Sequence, residues 1–112
     1  MVKYSSPALD ATFGALAHPT RRAILLKLAR QDWSVQELAR PLKISLPAIT
    51  KHLTMLEQGG LIATEKRGRV RTCHLVVKPL QEATSWLEFY RQFWDARLDG
   101  LGAYLEATGG KE

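Results

Sequence analysis

Apolar residues between positions 34 and 60 follow helical spacing in two short runs. The first run opens with Ser34-Val35-Gln36-Glu37, in which the Ser34 hydroxyl can accept a hydrogen bond from the Glu37 amide. The Glu37 carboxylate can accept one from the Ser34 amide in return. This capping box predicts the start of a short helix, and Pro41 predicts its end.

A second helix is predicted directly after the first. Ser45 is a suitable N-cap, Pro47 suits the first turn, and Gly59-Gly60 terminates the helix. The apolar positions with the spacing i, i+4, i+7 define the face that we expect to pack on a core, and three residues flank them. The core residues are Ile49, Leu53 and Leu56, and the flanking residues are Ala48, His52 and Met55.

The opposite face of this second helix combines hydroxyls, an ammonium group and small apolar groups. Its members are Leu46, Pro47, Thr50, Lys51 and Thr54. Such side chains reach base edges, thymine methyl groups and phosphates when a helix lies in the major groove of DNA. The pair is therefore typical of a helix-turn-helix with a recognition helix. Taken alone, the pair would fit two helices of an ordinary α domain with a solvated outer face equally well. The flanking segments must therefore decide between that interpretation and a helix-turn-helix.

After position 60 the spacing of apolar residues changes from that of a helix to that of a strand. Leu61–Lys66 and Val70–Val77 are two extended runs joined by Arg67-Gly68-Arg69, which predicts a β-hairpin with a glycine available for positive φ. The tip is basic, with Lys66, Arg67, Arg69 and Arg71. A hairpin after a recognition helix is typical of a wing that contacts the minor groove or the backbone. The alternative is a solvated hairpin whose charges protect an edge strand.

Two further helices are predicted before position 34. The first spans about Leu9 to Ala17, and the second begins at Pro19. Arg21 and Arg22 lie in the first turn of the second helix, where the helix dipole disfavours positive charge. A phosphate, an acidic neighbour or simple exposure to solvent would explain them. We interpret Gln31-Asp32-Trp33 as a connector.

Pro79 opens a long last helix that reaches about Leu105 and carries six of the nine aromatic residues. With its leucines they form a stripe too broad for a helix packed on one side. We expect this helix to pair with its symmetry mate, together with the first helix. The expected dimer interface is Leu9, Phe13, Trp86, Tyr90, Phe93, Trp94, Leu98, Leu101 and Leu105. Packing on its own domain alone is the alternative.

Together these elements predict a mainly α winged helix-turn-helix with about five helices and a two-stranded wing. Residues 1–112 form one small domain, with the helix-turn-helix at 34–60, the wing at 61–77 and the dimerisation helix at 79–106. A chain of this size buries only a marginal amount of apolar surface as an isolated monomer, and a dimer would bury more.

The distribution of charge along the sequence indicates what kind of partner the protein binds. The net charge is +5, and basic residues outnumber acidic ones by 8 to 3 over residues 34–78, against 5 to 2 before and 3 to 6 after. A basic centre indicates a polyanion partner, although basic surfaces without that role are common. No nucleophile, base and orienting group are placed together, and there is no glycine-rich phosphate loop, so we expect no enzyme.

The sequence also indicates a compartment. Cys73 is the only cysteine, which excludes an intrachain disulfide and fits a reducing cytosol. The sequence has no secretory h-region and no apolar run of membrane-spanning length. We expect a soluble cytoplasmic protein with no membrane partner.

In this order of elements and in the residues that form them, the chain from about Leu9 to Leu105 resembles the ArsR family of bacterial winged-helix repressors. The stretches that carry the resemblance are Ala15-Leu16-Ala17-His18-Pro19-Thr20-Arg21-Arg22-Ala23-Ile24-Leu25, Ser34-Val35-Gln36-Glu37-Leu38-Ala39, Ser45-Leu46-Pro47-Ala48-Ile49-Thr50-Lys51-His52-Leu53 and Leu56-Glu57-Gln58-Gly59-Gly60-Leu61-Ile62. The resemblance implies a cytoplasmic homodimer that represses by occupying an operator in double-stranded DNA. The expected DNA-binding residues are Gln36, Ser45, Leu46, Pro47, Thr50, Lys51, Thr54, Lys66, Arg67, Arg69 and Arg71.

The chain departs from the metal sensors of that family. Those proteins carry a Cys-x-Cys pair before the recognition helix, where this chain has Glu37-Leu38-Ala39-Arg40-Pro41, or acids and histidines in the final helix, where this chain has no histidine. Cys73 and His74 are strand neighbours that point to opposite faces, so they cannot share a simple metal site. We therefore expect no metal and no other cofactor, as in the metal-independent branch of the family. We expect Cys73 to be half-buried and His52 to be a packing or hydrogen-bonding residue at the edge of the recognition helix.

The predicted function is sequence-specific repression by a dimer, with control of its own synthesis as one option. A non-specific architectural DNA-binding protein is the first alternative, and it would bind any duplex with similar affinity. A winged helix that serves as a protein-interaction module is the second, and it leaves the basic wing unexplained. The sequence names neither the operator nor an inducer.

Overall fold

The computed structural model describes residues 6–107, with the side chains at positions 99, 101 and 103–107 left out of the description. Five helices and three strands follow one another as a winged helix-turn-helix, which confirms the predicted fold. In chain order they are α1 (Pro7–Leu16), α2 (Pro19–Arg30), β1 (Trp33–Ser34), α3 (Val35–Leu42), α4 (Leu46–Gln58), β2 (Ile62–Arg67), β3 (Val70–Leu75) and α5 (Lys78–Ala107).

The caps of α3 and α4 form as the sequence predicts. The Glu37 amide donates to the Ser34 hydroxyl at 3.1 Å, and the Ser34 amide donates to the Glu37 carboxylate at 2.9 Å. The Ser45 hydroxyl accepts from the Ala48 amide at 3.3 Å. These bonds satisfy amides that have no partner within their own helices.

The end of α3 differs from the prediction, because Pro41 does not end the helix. The helix continues through Pro41 to Leu42, and the corner is made by Lys43 in the left-handed conformation with φ 57°. Proline fixes φ near its helical value, so the chain can stay helical through Pro41, although the bond that an amide at this position would donate to the Glu37 carbonyl is lost. The corner therefore depends on the conformation of Lys43.

Glycine ends α4 at the predicted place. Gly60 has φ +76°, which favours a residue without a Cβ, and the Leu61 amide donates back to the Leu56 carbonyl at 3.0 Å. This reversal sends the chain directly into the hairpin. The hairpin turn uses the other positive-φ glycine of this region, Gly68.

The sheet has three strands in the order β1-β3-β2, not the two that the sequence predicts. Trp33, which we interpreted as part of a connector, pairs with Cys73, and Ser34 pairs with Thr72. On the other side of β3, Thr64 pairs with Cys73 and Arg67 pairs with Val70. A two-residue strand is too short to show an alternating pattern, which is why the sequence did not reveal β1.

The core lies where α2, α3, α4 and the sheet meet. Ile49, Leu53 and Leu56 are buried there, as their spacing predicts. Their main neighbours come from the other elements and are also buried: Ile24, Leu28, Leu38, Leu61 and Cys73. Burial of each large aliphatic side chain contributes about 1.5 to 3 kcal/mol, so this core fixes the position of α4.

Arg21 and Arg22 stabilise the end of α1. The Arg21 guanidinium donates to the carbonyls of Ala15 and Gly14 at 2.9 and 3.2 Å, and that of Arg22 donates to the Leu16 carbonyl at 2.7 Å. The last carbonyls of a helix carry partial negative charge and lack partners within the helix. Neither a phosphate nor an acidic side chain is needed to explain these two arginines.

Helix α5 packs on α1 near its start, where the Trp86 ring meets the Phe13 ring edge-on at 5.7 Å. Trp86 also contacts Tyr90, at 5.0 Å between ring centroids. Further along, several large apolar side chains face solvent: Phe89, Phe93, Trp94 and Leu98. The side chains of Leu101 and Leu105, both assigned to the dimer interface, lie outside the described part of the chain.

The first prediction concerns Arg21. Replacement by Met keeps the aliphatic stem but removes both hydrogen bonds to α1, so we expect the free energy of unfolding to fall by about 1 to 3 kcal/mol. Arg30→Met, which removes an exposed arginine from the last turn of α2, is the matched control. Denaturant titration followed by circular dichroism measures both variants. Equal effects of the two would contradict the capping role.

Candidate nucleic-acid interface

The outer face of α4 is open to solvent over its whole length. Leu46, Pro47, Thr50, Lys51 and Thr54 are all exposed. The N-cap hydroxyl of Ser45 is already engaged by the Ala48 amide. The face that lies away from the core therefore presents the hydroxyl, ammonium and apolar groups that the spacing predicts.

The register of the wing shows which of its side chains share a face with the core. Thr64 pairs directly with buried Cys73, and Lys66 pairs with Arg71, so these four residues lie on one face of the hairpin. Arg67 lies on the other face, where it forms an exposed ion pair of 3.4 Å with Glu65. Exposed pairs of this kind contribute little to stability, so the Arg67 charge remains available to an anion.

A groove of about 280 Å³ separates α4 from the wing and ends at the start of α3. Six of the eleven predicted DNA-binding residues line it: Gln36, Leu46, Thr50, Thr54, Arg69 and Arg71. The other five lie outside its lining, and these are Ser45, Pro47, Lys51, Lys66 and Arg67. Segments far apart in the sequence are thus brought to one concave surface.

Glu57 is a groove residue that the sequence analysis missed. Its carboxylate accepts a hydrogen bond from the Thr64 hydroxyl at 3.2 Å, which joins the end of α4 to the base of the wing. The signal was present, because Glu57 follows Thr50 and Thr54 at i, i+4, i+7 on the outer face of the helix. The negative charge of Glu57 disfavours a phosphate at this end of the groove, whereas Arg69 and Arg71 favour one at the other end. Thr64 and Val70 also line the groove and were not predicted.

Cys73 is fully buried, not half-buried as predicted, because its side chain lies in the core cluster and β3 has a paired strand on each edge. Burial, and to a smaller extent the nearby Glu57, raises the pKa of its thiol to about 11. The thiolate is the reactive form of cysteine. At neutral pH the side chain is therefore an unreactive packing group.

His52 packs against His18 beside α4, with 4.6 Å between the ring centroids. Its Nδ1 atom is buried and has no hydrogen-bond partner among residues 6–107. Burial, and then the charges of His18, Arg21 and Lys51, lower the pKa of the His52 imidazole. Of the two roles expected for His52, packing and hydrogen bonding, the structure shows packing, and the folded state favours the neutral form of the imidazole.

The described residues contain no cluster of three or more His, Cys, Asp or Glu side chains arranged to hold a metal ion. Metal-independent regulation stays a prediction. Within the same part of the chain, no helix has the length and apolar character needed to cross a membrane.

Comparisons with known proteins agree with this geometry. A family model described as a helix-turn-helix domain matches residues 16–65. The HTH-type transcriptional regulator Rv2034 of Mycobacterium tuberculosis is 35% identical over 109 residues, which cover 97% of each chain. The transcriptional repressor SdpR of Bacillus subtilis is 32% identical over 79 residues, covering 70% of this chain and 88% of SdpR.

Solved structures of transcriptional regulators are also similar to this chain. A crystal structure of an ArsR family transcriptional regulator matches with a TM-score of 0.77 and 42% identity, covering 85% of this chain and 97% of that one. An ArsR-like regulator from Rhodococcus sp. RHA1 matches with a TM-score of 0.68 and 35% identity over 87% of this chain and 92% of that one. Fold and relatives together define a winged helix-turn-helix transcriptional regulator, a DNA-binding class and not an enzyme. The chain belongs to the ArsR family.

The second prediction is a loss of stability at acid pH that depends on His52. Since its pKa is lowered in the folded state, the unfolded chain binds a proton more readily once the pH falls below about 6.5, the usual histidine value. The free energy of unfolding should therefore fall as the pH is lowered below about 6.5, and His52→Gln should remove part of that fall. His74→Gln, at a half-buried histidine on β3, is the matched control for the loss of a histidine side chain. An unchanged slope in His52→Gln would contradict this assignment.

Proposed function

We propose that this protein is a dimeric repressor that occupies a specific operator with α4 and the wing of each subunit. The observation that carries the proposal is the groove, in which six predicted DNA-binding residues from α3, α4 and the wing converge. Its lining offers hydrogen-bonding and apolar groups for bases as well as cations for phosphates. A surface that bound only the backbone would need the cations alone.

In this mode α4 lies in the major groove, whose width of about 12 Å admits a helix. Thr50 and Thr54 then lie on the side of α4 that faces the base edges, and exposed Leu46 is suited to a thymine methyl group. Arg69, in the turn of the hairpin, reaches the adjacent backbone or minor groove. The helix reads sequence, and the wing adds affinity.

The dimer follows from the exposed face of α5. Phe93, Trp94 and Leu98 are 51%, 56% and 63% exposed, although they lie near one another on the same helix. Monomeric proteins seldom leave a contiguous apolar patch of this kind in water. A second copy of the chain would cover the patch by two-fold symmetry and would place two copies of α4 about 34 Å apart on the DNA.

The third prediction separates specific from general contacts. The operator is first recovered by selecting bound fragments from genomic DNA, and affinity is then measured by fluorescence anisotropy on the operator and on a scrambled duplex. Thr50→Ala should cost about 1 to 3 kcal/mol on the operator and less on the scrambled DNA. Arg69→Gln should weaken both and flatten the salt dependence by about one unit for each phosphate that the variant no longer neutralises.

Arg30→Gln, which removes an exposed arginine outside the groove, is the control for charge alone and should change little. Equal affinity of the wild type for operator and scrambled DNA would favour a non-specific architectural protein. An equal loss on both duplexes in Thr50→Ala would count against direct reading of bases by α4.

The fourth prediction tests the dimer. Trp94→Glu places a charge in the exposed face of α5, so we expect a monomer or an aggregate and operator binding weaker by about 100-fold or more through lost bivalency. Leu26→Glu is the matched control, because Leu26 is 61% exposed on α2, away from that face. Sedimentation velocity measures the mass of each. A monodisperse wild-type monomer at micromolar concentration would refute the dimer.

A further inference from the structure

The same groove has the properties of a site for a small ligand. We propose that it binds an amphipathic anion, a compact apolar ring system carrying one carboxylate or sulfonate group, and that such a molecule releases DNA by direct competition. The binding site is inferred from the groove itself. Its regulatory effect rests on the proposed function, because it requires that DNA occupies the same surface.

The apolar part of the site comes from both sides of the groove. Leu46 of α4 and Val70 of the wing are 46% and 53% exposed, and Val35 and Leu53 also contribute to the lining. Leu53 is buried and belongs to the core, so this part of the lining is held in a fixed position. A flat ring between the two elements would contact apolar carbon from both and remove it from water.

The charged part of the site is polarised along the wing. Thr64 is paired with Cys73, and Arg71 lies two residues nearer to the tip of the hairpin. Two residues of a strand span about 7 Å, so Arg71 and Thr64 are separated by about that distance along the wing. Thr64 holds the Glu57 carboxylate, so the acid lies at the base of the wing while Arg71 and Arg69 lie towards its tip. With two cations against one anion in the lining, the groove favours an anion at the tip end.

The size of the groove limits the ligand. A volume of about 280 Å³ is just below the roughly 300 to 1,000 Å³ that is usual for ligand sites. One or two fused rings fit such a volume, whereas a nucleotide or a peptide would extend beyond it. A hydroxyl at the far end of the ring would be placed to donate to the Glu57 carboxylate.

Occupation of the groove would exclude DNA without any change of fold. Gln36, Leu46, Thr50 and Thr54 would face the ligand, and these are residues that we assign to the DNA contact. Competition of this kind divides the apparent DNA affinity by one plus the ratio of the ligand concentration to its dissociation constant. Unlike sensing by a distant site, it needs no second conformation of the protein.

The fifth prediction uses naphthalene-2-sulfonate as the probe and the full chain as the protein. Amide chemical shifts followed during titration should change at Thr50, Thr54, Thr64 and Arg71. Loss of a charge-assisted hydrogen bond in Arg71→Gln should weaken binding by about tenfold, whereas Arg30→Gln should bind as the wild type does. Naphthalen-2-ylmethylammonium, a cation of similar shape, should bind about tenfold or more weakly than the sulfonate.

Shift changes confined to α5 would show that the probe only covers the exposed aromatic face, and they would overturn the proposal. Equal binding of the cation and the anion would overturn it as well. Addition of operator DNA should displace the sulfonate from the groove. If the protein bound no DNA, the proposed repressor function would be wrong, but the titration would still test the ligand site. If the protein bound DNA but not the sulfonate, only the proposed ligand site would be wrong.

Discussion

Strand β3 is hydrogen-bonded on both sides, and this double pairing holds the three walls of the groove together. Cys73, in the middle of the strand, pairs with Trp33 of β1 on one side and with Thr64 of β2 on the other. Ser34 follows Trp33 directly and caps α3, while Thr64 donates to Glu57 at the end of α4. The start of α3, the end of α4 and the wing are therefore all tied to the same strand.

The corner of the helix-turn-helix depends on local interactions, and the angle between its helices depends on the core. Ser45 fixes the start of α4 and Lys43 fixes the corner before it. These groups determine where each helix begins and ends, but not how the two helices cross. The crossing is constrained by the core, in which Leu38 of α3 and Ile49 of α4 are both fully buried. Such packing is sensitive to side-chain volume, so core substitutions should move the outer face of α4 as well.

The sequence predicts those parts of the molecule that depend on neighbouring residues. Helix caps, the two faces of α4 and the hairpin all follow from residue spacing. The pairing of Trp33 was not predictable, because two residues cannot show a strand period. The complete burial of Cys73 was not predictable either, because it depends on residues of distant elements that share its core cluster. The acceptors of Arg21 were equally hidden, since backbone carbonyls leave no signal in the sequence.

The site was predictable to a similar extent. The spacing of α4 selected the outward residues that line the groove, and the same spacing continued one turn further would have included Glu57. What the sequence could not show is which wing residues share a face with α4. That depends on how the paired strands β2 and β3 sit against α4, because Val70 and Arg71 both line the groove although neighbouring strand residues point to opposite faces.

The arginine caps of α1 have a consequence for behaviour at high ionic strength. Arg21 and Arg22 donate to backbone carbonyls at short range, and hydrogen bonds to dipoles are much less sensitive to dissolved salt than contacts between full charges across solvent. Contacts between arginines and phosphates weaken steeply as salt rises, because bound counterions are no longer released favourably. If the wing arginines contact phosphates as proposed, concentrated salt would release the DNA while α1 stays joined to α2, so the protein could be freed of DNA without being unfolded.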